Sequence, residues 1–217
     1  MADAAVEELV ALGPASGDAL LPLLDDSRRD VRAGAIRGLG LLGDPRAGAP
    51  LRSALRLSWE NPEPDTLDER YFRILSIQAL GRIRDAEAAD LLREFVNGGD
   101  EFERAHAGIS LFLLEKDPGY DVVRASLKDP VMAIRNLTVE GLGATDDRRA
   151  RELVLSATRD ESWVVRDTAY RVLGGWPADG SIRDALEKGS GDPSWFVRQT
   201  VAEARRGSGS PVTQRGK

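Results

Sequence analysis

The chain has 217 residues, 41% of them hydrophobic, and a net charge of −6 from 36 acidic against 30 basic side chains. The lack of cysteine excludes disulfides, thiolate zinc sites and thiol nucleophiles, and the acidic balance argues against a dedicated nucleic-acid binder, whose affinity comes from neutralised phosphates. Residues 1–10 carry Asp3, Glu7 and Glu8 and no basic residue, the wrong charge for a secretory leader, and no apolar run approaches a membrane span, so a cytoplasmic protein without membrane contact is expected.

Along the chain, one arginine-centred pattern returns six times, at Arg32, Arg73, Arg104, Arg135, Arg166 and Arg198, with spacings of 41, 31, 31, 31 and 32 residues. Seven residues after it stand Leu39, Leu80, Leu111, Leu142 and Leu173, and then Arg205, which breaks the pattern. A fixed period of this length predicts a solenoid, each unit burying its apolar face against its neighbours. The fourth unit shows the plan. Asp129 and Pro130 precede a helix over about 131–143, in which Ile134, Thr138 and Leu142 share one face, and Gly143 is expected to close it in a left-handed conformation. Asp147 follows in a turn before a second helix over about 149–157, making a helical hairpin. Aspartates six residues before four of the arginines (Asp26, Asp129, Asp160, Asp192) suit the orphan N–H groups of a helix start, and each arginine is placed to reach the turn of an adjacent unit. Such a recurrent residue is structural, because a catalytic one has no reason to recur in every unit.

The stretch Asp30-Val31-Arg32-Ala33-Gly34-Ala35-Ile36-Arg37-Gly38-Leu39-Gly40, with Gly43-Asp44 behind it, resembles the second helix and following turn of the HEAT-repeat superfamily, in its short phycobilin-lyase-like class. Phe72-Arg73 through Ala79-Leu80-Gly81 and Asp85 repeats it. The resemblance spans about residues 14–205 and implies an all-α, right-handed solenoid of about six hairpins with a concave binding face. Residues 1–206 are expected to form one domain, and 207–217, rich in Gly and Ser, a disordered tail.

Three departures from the repeat supply the candidate binding residues. The long first interval inserts residues 58–69, which carry five acids, two prolines and an exposed-looking Trp59, either a tolerated loop or a binding one. In the third unit Phe112 replaces the usual glycine and Glu103 the usual apolar residue, and the lone His106 lies among them, expected to face solvent or a groove rather than act as a base. Trp163 and Trp195 both stand three residues before their arginine, beginning the stripes Trp163, Asp167, Arg171 and Trp195, Gln199, with Tyr71, Leu75, Phe102 and His106 beside the equivalent stripes. These positions are expected to point away from the seams between units, although the tryptophans would also serve as seam cover.

A non-enzymatic scaffold holding a protein or peptide in its groove fits all of this, with no cofactor, metal or catalytic residue called for, and a monomer is expected. Trp163 and Asp167, with Trp195 one unit on, also resemble the aromatic and acidic residues of the HEAT-like alkylpurine DNA glycosylases, a DNA-binding alternative opposed by the acidity. The bilin lyases share the repeat class and suggest chromophore handling, without a diagnostic residue here. The iron ligands of the HEAT-like deoxyhypusine hydroxylases are His-Glu pairs, which a chain with one histidine, followed by Ala107, does not have.

Overall fold

A computed structural model describes residues 8, 10–60, 67–115 and 117–207. Half of the 58–69 insertion, residues 61–66, and all but the first residue of the expected tail therefore lie outside the described residues. The described residues form helices and turns without a strand. Their contacts group into two units, Met1–Val123 and Arg124–Lys217.

Unit 1 holds α1 (Gly17–Leu20), α2 (Arg29–Leu42), α3 (Gly48–Glu60), α4 (Leu67–Ile83), α5 (Ala89–Gly98), α6 (Glu101–Glu115) and α7 (Asp117–Ser126), the last running past the unit boundary. The arginine-bearing helices α2, α4 and α6 pack successively on one another, with α3 against α4 and α5 against α6. Unit 2 repeats the plan with α8 (Met132–Leu142), α9 (Arg148–Ala157), α10 (Trp163–Gly175), α11 (Gly180–Gly189) and α12 (Trp195–Gly207), where α8, α10 and α12 are the successive layers.

The pattern residues explain the stacking. Leu39, Leu80, Leu111, Leu142 and Leu173 are all buried, and removing a leucine side chain from water contributes about 2–3 kcal/mol. One residue further on, Gly40 lets α2 approach α4 so closely that a Cβ there would lie 2.9 Å from the Ala79 Cα, and a Cβ at Gly174 would lie 2.6 Å from the Ala204 Cβ of α12. Gly143 occupies this position in α8 with φ −61°, right-handed and not left-handed as the sequence suggested, and its missing side chain leaves room for Val172. The left-handed turn residue comes three positions later, at Gly43 (φ 66°) and, with a side chain that must bear the strain, at Arg84 (φ 59°). In α6, Phe112 stands where the glycine would be and is fully buried. The close approach passes instead to α7, where Gly119 sits against the Phe112 backbone.

Aspartates cap the short turns that lead into α3 and α5 and the starts of α9 and α11. Asp44, Asp85, Asp147 and Asp179 accept backbone N–H bonds from Arg46, Glu87, Arg149 with Ala150, and Ile182 respectively, satisfying donors that a helix start leaves open.

Candidate functional site

The arginine ladder is a load path between turns. Asp26, Asp129, Asp160 and Asp192 each accept the backbone N–H two residues on, closing a tight turn before the helix. Arg32, Arg135, Arg166 and Arg198 then fold back so that Nη1 donates to the carbonyl of that same aspartate, at 2.6–2.9 Å. In unit 2 the other edge of the guanidinium reaches forward. Arg135 Nε and Nη2 hold Asp160 at 2.9 and 3.0 Å, and Arg166 holds Asp192 at 2.8 and 2.9 Å. Arg135 is only 5% exposed, so these two-pronged bonds act where water screens them little. The Arg166 hydrogen bonds, helped by the Ser194 N–H, hold the Asp192 carboxyl below its usual range against the opposing effect of burial. In unit 1 the rung changes: Arg73 Nε holds Glu103 at 2.5 Å, and Arg32 lies over the Phe72 ring, 5.1 Å from its centre. The glutamate that breaks the apolar pattern in the third unit thus supplies a ladder carboxylate.

The candidate residues of unit 1 divide. Leu75 is a correction: at 6% exposure it belongs to the core, because α4 has a neighbour on both sides and buries more than the single face that periodicity suggests. Trp59 ends α3 and is not a loop residue; it is half-buried on the core with its ring 4.5 Å from that of Phe95. Tyr71 is exposed and accepts a hydrogen bond from Arg37 at 2.7 Å. Phe102 is half-buried on the first turn of α6. His106 is half-buried, with Gln78 Nε2 3.1 Å from Nδ1. Burial pushes its pKa down to about 4; the Asp100 charge opposes this and Arg82 adds to it, so the ring is neutral near pH 7. Unit 1 also has a cleft of about 210 Å³ between Leu24, Arg32, Leu51 and Phe72.

In unit 2 the candidates converge. Trp163 and Trp195 are 44% and 59% exposed, each at the first residue of its helix. Phe196 lies between them at 55% exposure, its ring stacked on Trp163 (5.0 Å, 21°) and edge-on to Trp195 (5.2 Å, 76°). Val131 and Met132 occupy the same place at the start of α8. Every exposed large hydrophobic among the described residues of unit 2 therefore lies at the start of α8, α10 or α12. Sequence reasoning missed Phe196 and Met132. The signal was present: Phe196 is two residues before its arginine, as Tyr71 and Phe102 are, and Met132 shares the three-before position of the tryptophans. Below this rim Asp167 accepts from the Thr200 hydroxyl at 2.6 Å, which ties α10 to α12. Arg171 lies 3.9 Å from Glu140, and Gln199 donates to Glu203 at 3.0 Å. Among the described residues no group of three or more His, Asp or Glu is placed to hold a metal ion, and no helix is long and apolar enough to cross a membrane.

Residues 17–112 match the HEAT repeats family, and the same arginine-bearing hairpin recurs beyond them in unit 2. Residues 17–112 thus form a HEAT-repeat α-solenoid, and the fold of the described residues as a whole is all-α. Among solved structures the chain is similar to YibA of E. coli, with 21% identity and a TM-score of 0.51, over 93% of this chain and 72% of that one. Human deoxyhypusine hydroxylase in complex with glycerol is similar at 17% identity and a TM-score of 0.42, over 94% of this chain and 88% of that one. No curated protein matches the chain.

Proposed function

We propose that the protein is a non-enzymatic scaffold that binds a partner protein through the aromatic rim of unit 2. The observation that carries this reading is the array of Trp163, Phe196 and Trp195, in which Phe196 touches both tryptophans and each ring is about half exposed. Aromatic side chains are what protein interfaces concentrate at their anchoring positions, and a contiguous apolar patch on a folded surface is costly without a partner. Their position supports the reading further, because the first turn of a repeat helix is not needed for stacking. Tying Asp167 to Thr200 also speaks against a free carboxylate beside Trp163, as a glycosylase-like reaction would require. The paired ladder arginines leave little phosphate-tracking charge.

The test compares the wild-type chain with a Trp195→Ala, Phe196→Ala variant as bait against the native cell extract. The expected result is a defined partner that the variant loses at least tenfold while its melting temperature stays within a few degrees. A variant that retains the same partners, or that unfolds, removes the rim as the binding surface.

A further inference from the structure

The long first interval shapes a cleft in unit 1. α3 ends 28 residues after Arg32, where α9 ends 22 after Arg135, and α4 begins six residues before Arg73, where α10 begins three before Arg166. The extra lengths of helix carry Ser58 and Glu69, which line the cleft of about 210 Å³ together with residues of α2. Its floor is apolar, made by the buried Ile36, Leu51 and Leu55, and the Phe72 ring forms part of the wall.

Two polar groups in this cleft are not used up by the fold. Ser76 is 5% exposed and lines the cleft, and its hydroxyl has no hydrogen-bond partner among the described residues. The same position holds Ala35, Ala107 and Ala169 in other units, and Thr138, which does bring a hydroxyl, donates it to the Ile134 carbonyl at 2.7 Å. A buried hydroxyl left without a partner is costly, so it marks a place where one is to be supplied. Arg32 is the second group. Nη1 is held by the Asp26 carbonyl at 2.6 Å and the guanidinium face lies on Phe72, but no carboxylate among the described residues bonds it. At 26 residues on, where Arg166 finds Asp192, Arg32 has Ser58.

We infer that the cleft binds a small monocarboxylate with an apolar body, a single-ring or branched-chain acid. Its carboxylate accepts from the Ser76 hydroxyl and the Arg32 guanidinium, and its body covers Ile36, Leu51, Leu55 and Phe72. The donors select an acceptor, and an organic cation would meet Arg32 with like charge. The volume, below the roughly 300–1,000 Å³ of pockets for drug-sized ligands, selects a small one. This site lies within unit 1 and does not depend on the rim of unit 2 being a binding surface.

The probe is phenylacetate, with the uncharged phenylacetamide as its counterpart of equal shape. Each is titrated into the full chain and followed by amide shifts in two-dimensional NMR. Phenylacetate should bind saturably with a Kd of about millimolar and shift the amides of Arg32, Leu55 and Ser76, whereas the amide should bind at least about tenfold more weakly, as expected for hydrogen bonds to a charged group. Ser76→Ala places there the residue found at the same position in three other units, and should weaken phenylacetate about tenfold. Ala54→Phe, at an exposed residue of α3 lining the cleft, fills the space and should abolish binding. Equal binding of acid and amide, shifts confined to other residues, full affinity in either variant, or no saturable binding overturns the site. If Ser76→Ala fails to fold, the Ala54→Phe variant decides alone.

Discussion

The two units carry the same repeat and finish its edge in opposite ways. Three residues before the ladder arginine, unit 1 places Arg29, Arg70 and Glu101, whereas unit 2 places Met132, Trp163 and Trp195. Arg70 is paired with Asp100, so that edge of unit 1 is charged and satisfied, while the equivalent edge of unit 2 is apolar and uncovered. The inner residues run the other way. Unit 2 keeps the regular arginine–aspartate rungs and the small residue between layers, and unit 1 substitutes Glu103 for the aspartate and exchanges the glycine of α6 for Gly119 of α7. Stacking constrains the seam and leaves the first turn free, so chemistry that does not serve packing collects there.

The strongest way to break this contrast is to attack a rung. Arg135→Ala or Arg166→Ala should destabilise the fold by about 3–5 kcal/mol, because each leaves a carboxylate and a turn carbonyl without their partner in a poorly screened place. Urea unfolding measures this; a loss below about 1 kcal/mol would mean that the rungs are decorative. Next in size is a pH effect confined to unit 1. His106 has a folded pKa of about 4 against an ordinary value of 6.5, so the unfolded chain takes up the proton first. Its contribution is fully present above pH 6.5 and is lost as pH falls from 6.5 to 4, by up to about 3 kcal/mol. His106→Gln should flatten stability across that window, as read by melting temperature at pH 4.5, 5.5 and 7. The smallest contrast separates tryptophans. Trp59→Ala, which removes packing against Phe95, should cost about 2–3 kcal/mol, and Trp195→Ala less than about 1 kcal/mol. Equal costs would place Trp195 in the core.

The ladder and the layers were legible because both follow from a strict period: an arginine and a leucine that recur must face the same surroundings in each repeat. The rim was half legible. Trp163 and Trp195 stand out as repeated aromatics at one position, but their contact through Phe196 depends on how two layers register, which no single helix records. Leu75 was misread because a helical stripe reports direction and not the number of neighbours; α4 has them on both sides. Gly143 was misread because a glycine near a helix end suits either a left-handed turn or a close approach, and only the backbone angle separates them. Trp59 looked like part of a loop because the prolines and acids after it mark a break, yet α3 continues through Glu60 and carries the ring onto Phe95.

The double grip of each ladder arginine has a dynamic consequence. Arg166 ties the turn before its own helix with one edge and the turn before the following helix with the other, so a single side chain belongs to two repeats at once. Opening one layer therefore withdraws a fastening from its neighbour, and local fluctuations within unit 2 are coupled in sequence order.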